Sequence, residues 1–277
     1  MIDYIREKIQ GESDRRKARL LVREYLQARI LESLHDFGVF SSWCFIGGTA
    51  LRFLYRLPRF SEDLDFSLSR ALADQEHTHF IGGFKRTVDR TISLFKKEGY
   101  KVSPKISDSH MVKSAFIKFH GLLFDLGLSP HEKEVVSVKI EIDADPPSGA
   151  QTERSIIRKY SLINVQHYDK GSLFAGKLHA LLSRNYTKGR DLYDIFWYLS
   201  DPGWPPPNIN FLWNALMQTG WNGPVVTAEN CKFLVSEHLD NIDWNKTIAD
   251  VQPFLEKPQE ASLLTRENFT RLLSSDR

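Results

Sequence analysis

Cysteine is nearly absent. The chain of 277 residues carries two, Cys44 and Cys231, far apart and without a metal-type spacing, which excludes a disulfide framework and a cysteine-based zinc site. No apolar run approaches the length needed to cross a bilayer. The opening Met1-Ile2-Asp3-Tyr4-Ile5-Arg6-Glu7-Lys8 has charges where an export signal needs an apolar stretch, so a cytoplasmic protein with no membrane association is expected. Gly-x-Gly-x-x-Gly is missing, and no Gly-Lys-Ser/Thr follows a glycine turn, which removes the dinucleotide fingerprint and the P-loop. Repeats and low-complexity tracts are lacking too. A net charge of +2 points by itself to no polyanionic partner. What is there is a globular composition, 42% hydrophobic and 26% charged, enough to build the core of one large domain or two modest ones.

Periodicity divides the chain. Leu20, Val22, Leu26, Ile30 and Leu34 recur at mostly four-residue spacing and predict a helix from about Arg15 to Phe37, ending at Gly38. Trp43-Cys44-Phe45-Ile46 reads as a buried strand, Gly47-Gly48 as a tight turn, and Thr49 to Tyr55 as a helix stopped near Pro58. Asp63-Leu64-Asp65-Phe66-Ser67-Leu68 alternates as a half-buried strand does. A helix with a basic surface is expected over Phe80 to Glu98, with His77 and His79 in a polar loop before it, and strands over Ala115 to Phe119 and Val135 to Asp143. From about Ser172 onward only helices are predicted: Leu173–Arg184, Arg190–Leu199, Phe211–Gln218, Ala228–Leu239, Trp244–Leu255 and Arg266–Leu273, with Thr227, Asp243 and Thr265 as N-caps. The expected class is α+β, a core over 1–170 followed by an all-helical region over 171–277.

Asp63 and Asp65 leave the same face of their strand while Leu64 and Phe66 point the other way. Two adjacent carboxylates repel unless a cation joins them, and Mg²⁺ takes such hard oxygen ligands. The alternative is a solvated acidic strand face. Glu141 lies between Ile140 and Ile142 and so projects from the polar face, as does Asp143. Asp63, Asp65 and Glu141, with Asp143 as the other choice of third carboxylate, could hold two metal ions roughly 4 Å apart, as in-line phosphoryl displacement requires. The Gly47-Gly48 turn with the helix that begins at Thr49 would offer free amides to a phosphate, or else is a turn with no ligand. Ser61 is either a phosphate donor or a turn residue.

Phe45-Ile46-Gly47-Gly48-Thr49-Ala50-Leu51-Arg52, followed by Arg59-Phe60-Ser61-Glu62-Asp63-Leu64-Asp65-Phe66, resembles the first motif of polymerase-beta-type nucleotidyltransferases. A second block runs from Leu173 through Lys177 to Arg184 and on to Lys188-Gly189-Arg190-Asp191-Leu192-Tyr193-Asp194. With it the chain resembles the AbiEii/AbiGii toxin family of nucleotidyltransferases from about Ile30 to Leu199. The resemblance implies a polymerase-beta-type core with a mixed sheet and flanking helices. It also implies that Lys177, otherwise an ordinary surface lysine, serves nucleotide binding or catalysis, and that Asp191, otherwise a helix cap or partner of Arg190, contributes to the active site. The helical region would thus bring Lys177 and Asp191 to the cleft. The implied reaction is Mg²⁺-dependent, with Mn²⁺ as an alternative: a nucleoside monophosphate passes from a nucleoside triphosphate to an acceptor hydroxyl. RNA, led by the tRNA 3′ end, is the implied acceptor, and a cognate antitoxin encoded nearby the implied genetic partner. An inactive nucleotide- or RNA-binding module and a metal-dependent nuclease are the rival readings.

The small net charge hides a division. Residues 1–190 carry 31 basic against 23 acidic side chains, whereas residues 191–277 carry 6 against 12. The basic surplus gathers around the acidic strands, as backbone contacts to a polynucleotide would require, or else lies on solvated helix faces.

Overall fold

The computed structural model describes residues 2–108 and 112–274. Two helices precede the sheet, the short α1 (Ile2–Ile9) and the long α2 (Arg15–Asp36), followed by β1 (Trp43–Ile46), α3 (Gly47–Tyr55), β2 (Asp63–Leu68), α4 (His77–Lys97), β3 (Val102–Asp108), β4 (Val112–His120), α5 (Leu122–Asp125), β5 (Val135–Asp143), β6 (Thr152–Ile157) and β7 (Ile163–Tyr168). Beyond these come α6 (Lys170–Ser183), α7 (Gly189–Ser200), α8 (Ile209–Gln218), α9 (Cys231–Leu239), α10 (Trp244–Val251) and α11 (Arg266–Ser274). The chain forms two compact units: Met1–Tyr55, Phe60–Pro146 and Arg154–His167 make the first, and Arg56–Arg59, Pro147–Glu153 and Tyr168–Arg277 the second.

The first unit is built on a seven-stranded mixed sheet of order β3-β4-β5-β2-β1-β7-β6. β2 runs parallel to β5 and β1 parallel to β7, while the β1–β2, β3–β4 and β4–β5 pairs are antiparallel. Alternation decides which side is buried. Leu64 and Phe66 of β2, Val138, Ile140 and Ile142 of β5 and Ala115, Ile117 and Phe119 of β4 all face a core completed by Leu26, Ile30 and Leu34 of α2 and Phe84, Val88, Ile92 and Phe95 of α4. Phe66 sits at the centre of an aromatic group, its ring 5.4 Å from Phe45, 5.5 Å from Trp43 and 6.1 Å from Phe40.

Most expected elements form, with informative differences. α4 starts at His77, so His77 and His79 lie in its first turn rather than in a loop. α3 starts at Gly47, and Arg56 closes it in the left-handed region at φ 61°. β3, β6 and β7 were not foreseen; β3 contains Pro104, tolerated because β3 is an edge strand. In the helical unit Asp243 caps α10 by accepting from the Lys246 amide, but Asn230, not Thr227, precedes α9. None of the described helices is long and apolar enough to cross a membrane.

Phe66 lies on the strand that carries both aspartates and is nearly fully buried. Phe66→Ala should therefore destabilise the protein by about 3–5 kcal/mol, measured as a lowered urea midpoint with the slope unchanged.

Candidate active site

Strand pairing builds the acidic face. Residues directly opposite each other on neighbouring strands share a face. Asp63 pairs in register with Lys139, Lys139 with Phe116 and Phe116 with Lys105, so these four side chains form one row across β2, β5, β4 and β3. The next row holds Asp65, Glu141, Ser114 and Ser107. Asp143 stands a further step along, opposite Ser67. Four carboxylates from two parallel strands thus share one half-exposed face.

Local packing fixes this face at its β2 end. Gly47 has φ 76°, and a Cβ there would lie 3.0 Å from Asp65 Cβ and collide with the Asp65 carboxylate. Glycine is required for both reasons. The Thr49 side chain is fully buried, and its hydroxyl donates to the main-chain oxygen of Asp63, tying the start of α3 to the start of β2. The Gln27 amide donates to the Ser61 carbonyl at 3.1 Å, and Arg23 pairs with Glu62 at 2.5 Å, so α2 holds the segment entering β2. Gly48 is buried, Gly47 half-buried, and the first amides of α3 are those a helix leaves without intrahelical partners.

The cation on this face was not anticipated. Lys139 bonds the Glu141 carboxylate across one strand repeat. Burial works against its charge, but Glu141, then Asp63 and Asp65, hold its pKa above the ordinary lysine value. Asp143 differs: burial pushes its carboxyl up, and it accepts the Asp145 amide at 3.0 Å, closing the turn after β5. Among the described residues no three His, Cys, Asp or Glu side chains converge at metal-binding spacing. Asp63 and Asp65 nonetheless fit Mg²⁺, which is commonly held by one or two carboxylates while substrate phosphates and water complete its shell.

In the helical unit the second sequence block closes into a buried ion network. Lys177 Nζ lies 2.8 Å from Asp191 Oδ1 and 2.8 Å from Asp194 Oδ2. Asp194 also receives Arg59 in a bidentate pair, Nε to Oδ1 and Nη2 to Oδ2 at 2.6 Å each, and Arg184 pairs with Asp191. Burial opposes the charge of Asp191, yet Lys177 and Arg184 outweigh it and hold the carboxyl well below the usual range. Burial likewise opposes the charge on Lys177, and Asp191 and Asp194 more than restore it. Gly189 has a role of its own. A Cβ there would run into the Thr247 carbonyl, and its amide donates to Asp250 at 2.8 Å, so α7 begins pressed against α10.

Of the residues singled out from sequence, Asp63, Asp65 and Glu141 share the sheet face with Gly47 beside them, and Lys177 and Asp191 are bonded to each other. Arg59, Asp194 and Lys139 were passed over. Arg59 and Asp194 are separated by 135 positions, so no local pattern could join them. Lys139 alternates correctly on its strand but meets the aspartates only through the β2–β5 register.

The chain matches the family described as the nucleotidyl transferase AbiEii toxin of the type IV toxin–antitoxin system over residues 29–271. Its fold is similar to that of MenT4, a nucleotidyltransferase toxin from Mycobacterium tuberculosis H37Rv, at 14% identity and a TM-score of 0.56, over 100% of this chain and 90% of that one. It is also similar to JHP933 from Helicobacter pylori, at 18% identity and a TM-score of 0.51, over 92% of this chain and 88% of that one. No curated protein sequence matches significantly.

Because the folded-state pKa of Asp191 lies below its unfolded value, the stability it contributes is complete above about pH 4 and is lost as pH falls toward the folded value. Asp191→Asn should therefore be less stable than wild type at neutral pH and show a flatter decline between about pH 4 and pH 2, followed by circular dichroism in urea.

Proposed function

The chain belongs to the AbiEii family of nucleotidyl transferase toxins, and on that premise we propose that it moves a nucleoside monophosphate from a nucleoside triphosphate to an RNA hydroxyl, with the tRNA 3′ end as acceptor. The observation that carries this reading is the register that gathers Asp63, Asp65 and Glu141 on one sheet face beside the side-chain-free Gly47. Asp63 and Asp65 would hold Mg²⁺, or Mn²⁺ in its place, which when bound offsets the charge of the reacting phosphates. Glu141 is the third carboxylate in preference to Asp143, because it stands opposite Asp65 while Asp143 is engaged in its own turn.

The chain's own groups supply the rest. The first amides of α3 donate to phosphate oxygens, which the missing Gly47 side chain lets approach. Ser61 offers a hydroxyl next to the segment that enters β2. Lys105 and Lys118 share the carboxylate face and suit the phosphodiester backbone of an RNA acceptor. Lys177 has the phosphate-directed role the family resemblance implies, held charged and in one position by Asp191 and Asp194. Extension of a tRNA 3′ end would block aminoacylation, consistent with a toxin restrained by a cognate antitoxin.

Purified protein incubated with labelled nucleoside triphosphates, Mg²⁺ and total RNA should label RNA, and Asp63→Ala should abolish the label. Equal labelling by Asp63→Ala, or RNA shortened rather than extended, overturns the proposal. Gly47→Ala should lower the labelling rate by about 100-fold through displacement of Asp65, while costing only about 1–2 kcal/mol of stability. Lys177→Met should lose about 3–5 kcal/mol by leaving its carboxylates short of a cation. A raised nucleotide KM at temperatures where that variant stays folded separates the phosphate role from the structural one.

A further inference from the structure

Glu141 has two claims on it. As the third carboxylate it belongs with Asp63 and Asp65, and its oxygen also accepts a hydrogen bond from the Lys139 ammonium. Lys139 is no ordinary rim lysine. Its row places it opposite Asp63, its neighbour along the strand is Glu141, and Asp63 and Asp65 both act on its charge. On its far side the ammonium lies 5.9 Å from the centre of the Phe116 ring, so an aromatic face rather than open solvent borders it there. An isolated exposed pair would be worth little. One ammonium facing three carboxylates is different, because it offsets repulsion that the sheet register cannot relax.

Resting on the metal-binding reading of Asp63 and Asp65, we propose that Lys139 is the resident counter-ion of this site, a positioning residue that holds Glu141 in the metal-free protein and releases it to a divalent cation, thereby setting how tightly the site binds metal. Two cations then compete for one carboxylate set. Lys139 stabilises the empty site and weakens metal binding by the same coupling, since linkage is reciprocal. A site that lost Lys139 would be a worse fold and a better chelator. Conventional loss of a supporting residue has the opposite signature, a worse fold and a worse site.

The test measures Mn²⁺ binding by electron paramagnetic resonance of the free ion, with no nucleotide present, on the full chain as wild type, Lys139→Met, Lys139→Gln, Glu141→Gln and Lys139→Met/Glu141→Gln. Lys139→Met and Lys139→Gln should bind Mn²⁺ at least about fivefold more tightly than wild type. Their melting temperatures should be lower than wild type without metal and converge on it as Mn²⁺ saturates the site. The gain in affinity should vanish in the Glu141→Gln background, since Glu141 is the shared partner. Unchanged or weaker binding by both lysine variants, or a gain that persists without Glu141, overturns the proposal. Should Lys139→Met not fold without metal, its recovery by Mn²⁺ supports the proposal and its failure to recover counts against it, with Lys139→Gln carrying the affinity comparison. Absence of Mn²⁺ binding in wild type and lysine variants alike overturns the metal-binding reading itself, a result distinct from equal binding by all of them.

Discussion

Like charges do not gather on a sheet face unless something stronger holds them there. In this protein that is the parallel pairing of β2 with β5, enforced from the opposite side by Leu64, Phe66, Ile140 and Ile142, all of them buried. A slip of one residue would turn these side chains out and the carboxylates in, so burial of the apolar set dictates that Asp65 stands opposite Glu141. Hydrophobic area is worth about 25 cal/mol per Å², and several large side chains together outweigh the repulsion between half-solvated carboxylates. The site's electrostatic tension is thus maintained by the core. It is relieved locally by the Lys139 ammonium.

The helical unit meets the same difficulty by another route. Asp191 and Asp194 are removed from water, where an unpaired carboxylate would be prohibitive, and each is met by two cations: Lys177 and Arg184 for Asp191, Lys177 and Arg59 for Asp194. Such a network contributes more to a single arrangement than to stability, because each ion has paid much of its desolvation cost before it gains its partner. Its members are therefore poorly replaceable one at a time. The bidentate fork of Arg59 on Asp194 fixes orientation as well as charge, which a lysine at that position would not reproduce.

Legibility in the sequence followed the range of the interaction. The alternation of Asp63 to Leu68 and of Val135 to Asp143 gave both strands with their bounds, because period two is local and the buried face was apolar throughout. The helix over Arg190 to Leu199 was equally clear, yet nothing in its pattern marked Asp194 and Tyr198 as buried, and both are. An apolar stripe marks only the part of a buried face that needs no partner; a carboxylate buried against Arg59 and Lys177 breaks the pattern that would reveal it. β3 and β6 escaped for a related reason, since they are the edge strands of the sheet and edge strands keep polar residues and even Pro104. Gly47 read as a turn, but its necessity arises from Asp65, whose carboxylate occupies the space a side chain would take.

Net charge illustrates the same limit. The basic surplus of the first 190 residues is a sum over side chains with different duties. Arg90 lies 3.9 Å from the Phe37 ring centre, Arg52 covers Phe60 and pairs with Glu24, and Arg29 pairs with Glu98, so these cations serve packing. Lys105, Lys118 and Lys139 share the face of the carboxylates. On that face opposite signs alternate within a few ångströms, so the field they produce decays faster than that of a uniform basic patch and is further screened beyond about 8–10 Å in physiological salt. A polyanion would be drawn to this face weakly from a distance and held by individual contacts once close. Its salt dependence would then count those few contacts rather than the surplus of the whole half.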